Sequence, residues 1–238
     1  MCTPTQPSAP HRIVLEVIVE SVADAREAAR GGADRLEVVR ALELGGLTPP
    51  LILVREIAEA VSLPLRVMVR GNAGYATDAE ERAVLRGDAA SLAALGIDGV
   101  VVGFSDAGQP RLDDVLDVVG AIGDVRATFH RAFDQLRDPL GAIDVLKNAS
   151  PVDRILTSGG DGLPQARCGR LADYQRRAGD RLTIIAGGGV DDGMLAEIGR
   201  SRCVREVHVG RAAREGRRQA PVTATAVARI RRILETGH

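Results

Sequence analysis

Aromatic side chains are nearly missing from this chain: two Tyr, three Phe and no Trp in 238 residues. Nucleic acids held as single strands stack their bases on such rings. With 31 Lys plus Arg against 32 Asp plus Glu there is no basic excess either, so neither a nucleic acid nor an anionic membrane surface finds an electrostatic footprint. Cysteine is scarce. Cys2, Cys168 and Cys203 are odd in number and include no C-x-x-C pair, which argues against a disulfide framework and for a reducing, cytoplasmic setting. No apolar run approaches a membrane span. The Pro-, Thr- and Ser-rich stretch 1–11 lacks the apolar core of a signal peptide and reads as a disordered lead-in to a domain over 12–238. The chain also contains no H-x-x-x-H, no H-E-x-x-H and no G-x-S-x-G, so spacing alone supports neither a zinc site nor a serine nucleophile; no metal ligand set is assigned.

What is present is a repeating unit. Ile13–Val19 is a β-branched run, and Ser21 caps a helix that reaches Arg30 and stops at Gly31-Gly32. Strands follow at Arg35–Val39, Leu65–Val69, Gly99–Gly103, Val125–His130, Arg154–Thr157, Leu182–Ala186 and Val207–Val209. Helical stretches separate them: Thr48 is placed to cap one that runs to about Val61, Thr77-Asp78-Ala79-Glu80 has capping-box spacing for one to Leu95, and Arg111–Ile122 is amphipathic. Leu140–Asn148, Gln165–Ala178, a helix capped by Asp191 or Asp192 and ending at Ile198, and Thr223–Thr236 complete the series. Eight strand–helix units in 238 residues predict an α/β fold, a single (β/α)8 TIM-type barrel. A doubly wound open sheet is the competitor, and the lack of G-x-G-x-x-G after the first strand counts against it.

Several strands carry ionisable residues where a barrel lumen ordinarily holds Val or Ile: Glu16, Glu37, Arg70, His130, Arg154 and His208. Burying them singly would cost several kcal/mol each, so they are expected to pair with one another inside the barrel. Such a network either fixes strand register or floors a ligand site. In the segment Arg126–Asp134, Ala127 and Phe129 alternate with Thr128 and His130, which turns His130 inward and brings Arg131 and Asp134 to the strand end. His130 is the natural choice for proton transfer near neutral pH, with Glu16 or Glu37 to orient it and Arg70 and Arg131 to neutralise a substrate anion. After the last two strands come Gly187-Gly188-Gly189 and Gly210-Arg211, where barrel loops commonly cradle phosphate. Gly188, Gly189, Gly210 and Arg211 are therefore expected to bind a small anion, with donors from Ser158 joining the same rim. The plainer account is that these glycines only make tight turns.

Taken together, Leu15-Glu16-Val17 with Ser21, Gly31-Gly32-Ala33-Asp34-Arg35-Leu36-Glu37, Gly45-Gly46-Leu47-Thr48-Pro49, Thr128–Asp134 with its Phe-His-Arg-Ala-Phe-Asp, Leu156-Thr157-Ser158-Gly159 and Gly187-Gly188-Gly189 resemble the CutC copper homeostasis family. The resemblance runs in order from about Ile13 to Val209. It implies a TIM-type barrel, cytoplasmic location, frequent homo-oligomerisation, a role with copper, and site positions at Glu16, Glu37, Arg70, His130, Arg131, Asp134 and Ser158. Ile18, Val39 and Val209 stand where the family usually places cysteine, so weak Cu(I) binding through the pocket is expected. Three roles follow: copper homeostasis or copper binding, an enzyme acting by acid–base chemistry on a small anionic or phosphorylated substrate, or a non-catalytic small-molecule binder.

Overall fold

The computed structural model describes residues 12–120, 122–215 and 220–238. The expected lead-in over 1–11 lies outside them. In chain order the elements are β1 (Val14–Val19), α1 (Val22–Arg30), β2 (Arg35–Val38), α2 (Leu51–Ala60), β3 (Leu65–Met68), α3 (Ala79–Ala93), β4 (Gly99–Val102), a small hairpin of β5 (Ser105–Asp106) and β6 (Gln109–Pro110), α4 (Leu112–Val119), β7 (Arg126–Phe129), α5 (Pro139–Leu146), β8 (Val152–Thr157), α6 (Pro164–Ala178), β9 (Thr183–Ala186), α7 (Asp192–Ser201), β10 (Glu206–Val209) and α8 (Ala224–Thr236). Strands other than the hairpin close a parallel barrel in the order β1-β10-β9-β8-β7-β4-β3-β2. The fold is the (β/α)8 barrel that eight alternating units predict.

Period-2 alternation sorts the side chains. Leu15, Val17 and Val19 of β1, Leu36 and Val38 of β2, and Ala127 and Phe129 of β7 pack outward into the main core beneath the helices. The alternate residues face the lumen, where Ile18, Val39, Met68 and Val101 form a separate small apolar cluster with Leu42. Ser21, Asp78, Asp138, Asp191 and Thr223 cap α1, α3, α5, α7 and α8 through their side chains. Two expected caps move. Asp78, not Thr77, closes the first turn of α3; and α2 starts behind Pro50 without a side-chain cap, because the Thr48 hydroxyl is committed to Arg70, donating to its C=O at 3.1 Å and accepting from its N–H at 2.8 Å.

Below the apolar cluster the lumen is ionic. Arg35 bridges Glu16 and Glu206; Arg154 joins Glu206 at 3.0 Å and contacts Asp153. Arg66 then forks onto both oxygens of Asp153 at 3.0 and 2.8 Å and reaches Asp98 at 2.6 Å. Arg154 is the third residue of β8 rather than its opening one, which is what sets it at the level of Glu206. Room for the Arg66 guanidinium depends on Gly99, where a Cβ would lie 2.5 Å from Arg66 Nη1. Arg66 is 1% exposed and Arg35 4%, so each guanidinium owes its place to the two acidic partners that hold it.

Candidate functional site

At the C-terminal end of the strands lies a cavity of about 170 Å³. Of the residues marked out by the sequence, Glu37, Arg70, His130, Arg131, Gly188, Gly189, His208, Gly210 and Arg211 line it. Three do not. Glu16 sits behind His208, accepting at 2.7 Å from its Nδ1 side. Asp134 turns away to accept from the Thr157 hydroxyl at 2.6 Å and the Ser158 N–H at 3.1 Å while pairing with Arg131 at 2.9 Å. Ser158 thereby spends its backbone donor on Asp134 and is a neighbour of the rim, not part of its wall. Tyr75, in a loop without a readable pattern, completes the mouth.

The floor is a triad of titratable groups. His208 faces Glu16 on one ring nitrogen and Glu37, 3.5 Å away, on the other. Burial disfavours the His208 imidazolium, but Glu37 and Glu16 outweigh it and the net direction is upward. Burial raises Glu37 to about 7, helped by the Glu16 charge and opposed by His208 and Arg35. Glu16 goes the other way: burial raises it, yet Arg35 and His208 together hold it well below the usual carboxylate range. One oxygen of Glu37, Oε1, is buried and finds no hydrogen-bond partner among the described residues. An unpaired buried acceptor costs about 1–3 kcal/mol, a cost that a ligand donor would remove.

His130 differs from the sequence-based expectation of a group that titrates near neutrality. Burial, with Arg70 and Arg131 adding to it, pushes its pKa down to about 3. Its Nδ1 accepts from the Ala132 N–H at 3.2 Å, which leaves the ring's single proton on Nε2, buried and unpartnered among the described residues. The ring packs edge-on against Tyr75, centroids 5.4 Å apart, and Gly103 clears space for it, since a Cβ there would lie 2.7 Å from Nδ1. His130 is a fixed, neutral hydrogen-bond donor.

Around the rim the charge is positive. Arg70 is 6% exposed and has no carboxylate within ion-pair distance among the described residues. Backbone carbonyls hold it instead: Gly45, Gly46, Ala73 and Gly74 accept from its guanidinium, and Tyr75 lies beneath it at 4.8 Å. Burial accordingly pulls its pKa down, with Tyr75 and Glu81 acting against that. Opposite, Arg167 on α6 donates to the carbonyls of Ser158, Gly188 and Gly189. Gly188 and Gly189 take positive φ, +81° and +63°. With their carbonyls held outward, the N–H groups of Gly188, Gly189, Gly210 and Arg211 donate to no described group, an arrangement of free amides suited to an anion.

The described residues hold no group of three or more His, Cys, Asp or Glu able to bind a metal ion, and no helix long and apolar enough to cross a membrane. Comparison with known proteins gives a consistent result. The family model described as CutC family matches residues 13–213. The family protein CutC of Mesorhizobium japonicum is 37% identical over 206 residues, covering 82% of this chain and 76% of that protein; that of Klebsiella pneumoniae is 40% identical over 179 residues, covering 74% and 72%. Among solved structures, the putative copper homeostasis protein CutC from Streptococcus agalactiae superposes with a TM-score of 0.75 at 23% identity over 82% of this chain and 97% of that one. Orotidine 5'-phosphate decarboxylase from Pyrococcus horikoshii, at 17% identity and a TM-score of 0.62 over 93% of this chain and 99% of that one, shares the fold alone.

Proposed function

The chain belongs to the CutC family, and from that premise we propose that it binds a small organic anion, a phosphate ester above all, in the cavity at the mouth of the barrel. One observation carries this reading: Arg70, a buried cation held by carbonyls and with no described carboxylate within ion-pair distance, lines the same cavity as Gly188, Gly189, Gly210 and Arg211, whose amides donate to no described group. A buried charge without a counter-charge is costly, and an anion in the cavity supplies one. Arg131 and Arg211 widen the positive rim, and Ile18, Leu42, Met68 and Leu156 offer an apolar wall for a short carbon skeleton.

Copper fits the same cavity poorly. His208 has both ring nitrogens turned to carboxylates, His130 has Nδ1 spent on a backbone amide, and Ile18, Val39 and Val209 bring no thiolate, the donor that selects Cu(I). The only adjacent thiols among the described residues are outside the barrel, Cys168 and Cys203 with Sγ atoms 2.8 Å apart. Cu(I) competition against a chelator is therefore expected to show no pocket-bound copper. Whatever copper the protein holds disappears in C2S/C168S/C203S, and tight stoichiometric binding that survives in that variant refutes this account.

Calorimetric titration with inorganic phosphate and with dihydroxyacetone phosphate tests the anion site. Saturable binding is expected for both, tighter for the ester. Arg211→Ala is expected to weaken it about tenfold, the loss of one charge-assisted hydrogen bond. Absence of saturable binding at millimolar concentrations of either compound overturns the reading.

A further inference from the structure

Anion binding leaves unused two unpartnered buried atoms of residues that line the cavity, Glu37 Oε1 and His130 Nε2. Their electrostatic settings are opposite. Glu37 holds or releases its proton near neutrality, whereas His130 stays neutral with its proton on Nε2. A carboxylate base adjusted to neutral pH and a neutral imidazole donor on two residues lining one small cavity are the parts required to take a proton from carbon beside a carbonyl. The cationic rim holds the phosphate end of such a molecule away from the base. At about 170 Å³ the cavity is smaller than the ~300–1,000 Å³ of drug-sized pockets, which limits the skeleton to a few carbons.

We propose that the site is catalytic and acts on a short phosphorylated α-hydroxy ketone or aldehyde, with Glu37 removing the proton on the carbon next to the carbonyl and His130 stabilising the oxygen. This rests on the anion-binding reading above. In the step, the C–H bond breaks and its electron pair forms the C=C bond of an enediolate; the carbonyl π pair moves onto oxygen, which accepts a hydrogen bond from His130 Nε2–H. Glu37 Oε1 carries the proton and returns it, or a solvent deuteron exchanged for it, to the same carbon, so nothing is consumed. His208 and Glu16 are positioning residues: His208 contacts the second oxygen of Glu37, and Glu16 orients the His208 ring. The titratable and charged groups facing Glu37 are His208 from β10, Glu16 from β1 and Arg35 from its own strand, and with Glu37 ionising near neutrality the rate is expected to rise through about pH 7 and then level off.

The decisive experiment is incubation with dihydroxyacetone phosphate or glyceraldehyde 3-phosphate in D2O, with carbon-bound deuterium read by proton NMR and binding measured in parallel by calorimetry. The parent protein is expected to exchange the α-proton. Glu37→Gln, purified identically, is expected to lose about a hundredfold or more of that rate while binding the same compound within about threefold, because the Gln side chain leaves the rim untouched. Should Glu37→Gln fail to fold, Glu37→Asp, which withdraws the carboxylate from the carbon but keeps the charge, is expected to fold and to lose at least about tenfold. Binding without exchange above the variant's background, or equal exchange in the parent and Glu37→Gln, overturns the catalytic assignment and leaves the anion site standing. Failure to bind either compound overturns both.

Discussion

Replacing Arg35 with methionine is expected to destabilise the barrel by about 3–5 kcal/mol, the usual cost of breaking a buried ion pair from one side. Methionine fills much of the same volume, so the loss is electrostatic: Glu16 and Glu206 would remain buried without the guanidinium that bridges them. For a chain of this size the melting temperature should fall by roughly 6–20 °C. The variant carries a pH signature. Without Arg35, Glu16 loses the strongest of the charges that hold its pKa down against burial, so the deficit relative to the parent shrinks in acid, where that carboxyl is protonated. Combining Arg35→Met with Glu16→Gln should restore part of the loss, since it removes one of the two carboxylates Arg35 bridges while Glu206 keeps Arg154. Urea unfolding that places Arg35→Met within about 1 kcal/mol of the parent would mean the network contributes little. As a reference, Arg176→Met, which breaks the exposed pair with Asp173, is expected to change stability very little.

The second large effect is a decline in the parent's stability as pH rises. Glu37 goes from an ordinary 4.5 to about 7 on folding. The folded state therefore binds the extra proton between those values, and the stability it confers, present below pH 4.5, is lost as pH climbs to about 7. The full swing for such a group is about 3 kcal/mol. His208 acts in the same sense: its raised pKa gives stability that is complete below the unfolded value and fades as pH passes the folded one. Glu16, held low by Arg35 and His208 after burial is overcome, works in the opposite sense and loses its contribution only in acid. Unfolding free energies at pH 5, 6, 7 and 8 should thus fall steadily, and Glu37→Gln should flatten most of the slope. A parent whose stability is level or rises over that range would contradict the raised pKa that burial gives Glu37.

Much of this was readable from alternation. Strand–helix count and glycine stops predicted the barrel, and charged residues in otherwise apolar strands marked Glu16, Glu37, Arg70, His130 and His208. The same parity marks more than was taken from it. Arg35 is two residues from Glu37, Arg66 four from Arg70 and Glu206 two from His208, so each must share a face with a residue already identified. Pairing was less accessible. Whether Glu16 meets Arg35, His208 or both depends on barrel closure, which sets β1 between β2 and β10 and joins residues 192 apart in sequence. The departures of Asp134 and Ser158 from the cavity depend on a 3-10 turn over Arg131–Gln135, and Tyr75 belongs to a loop with no periodicity to read. His130 lies one residue past the end of β7, close to where alternation put it, but its protonation was not readable, because burial and the charges of Arg70 and Arg131 act on it through the folded structure.

The separation of the lumen into an ionic lower part and an apolar upper cluster bears on how this scaffold can diversify. Strand register is held by directional contacts among Glu16, Arg35, Glu206, Arg154, Asp153 and Arg66, which tolerate little change in any one member. Ile18, Val39, Met68 and Val101 pack chiefly on one another and on Leu42, apart from the core beneath the helices, and hydrophobic groups of similar volume exchange there at about 1.5 kcal/mol or less. Descendant sequences can therefore alter the wall that meets a ligand's carbon skeleton while the barrel keeps its closure, and ligand choice can drift independently of folding.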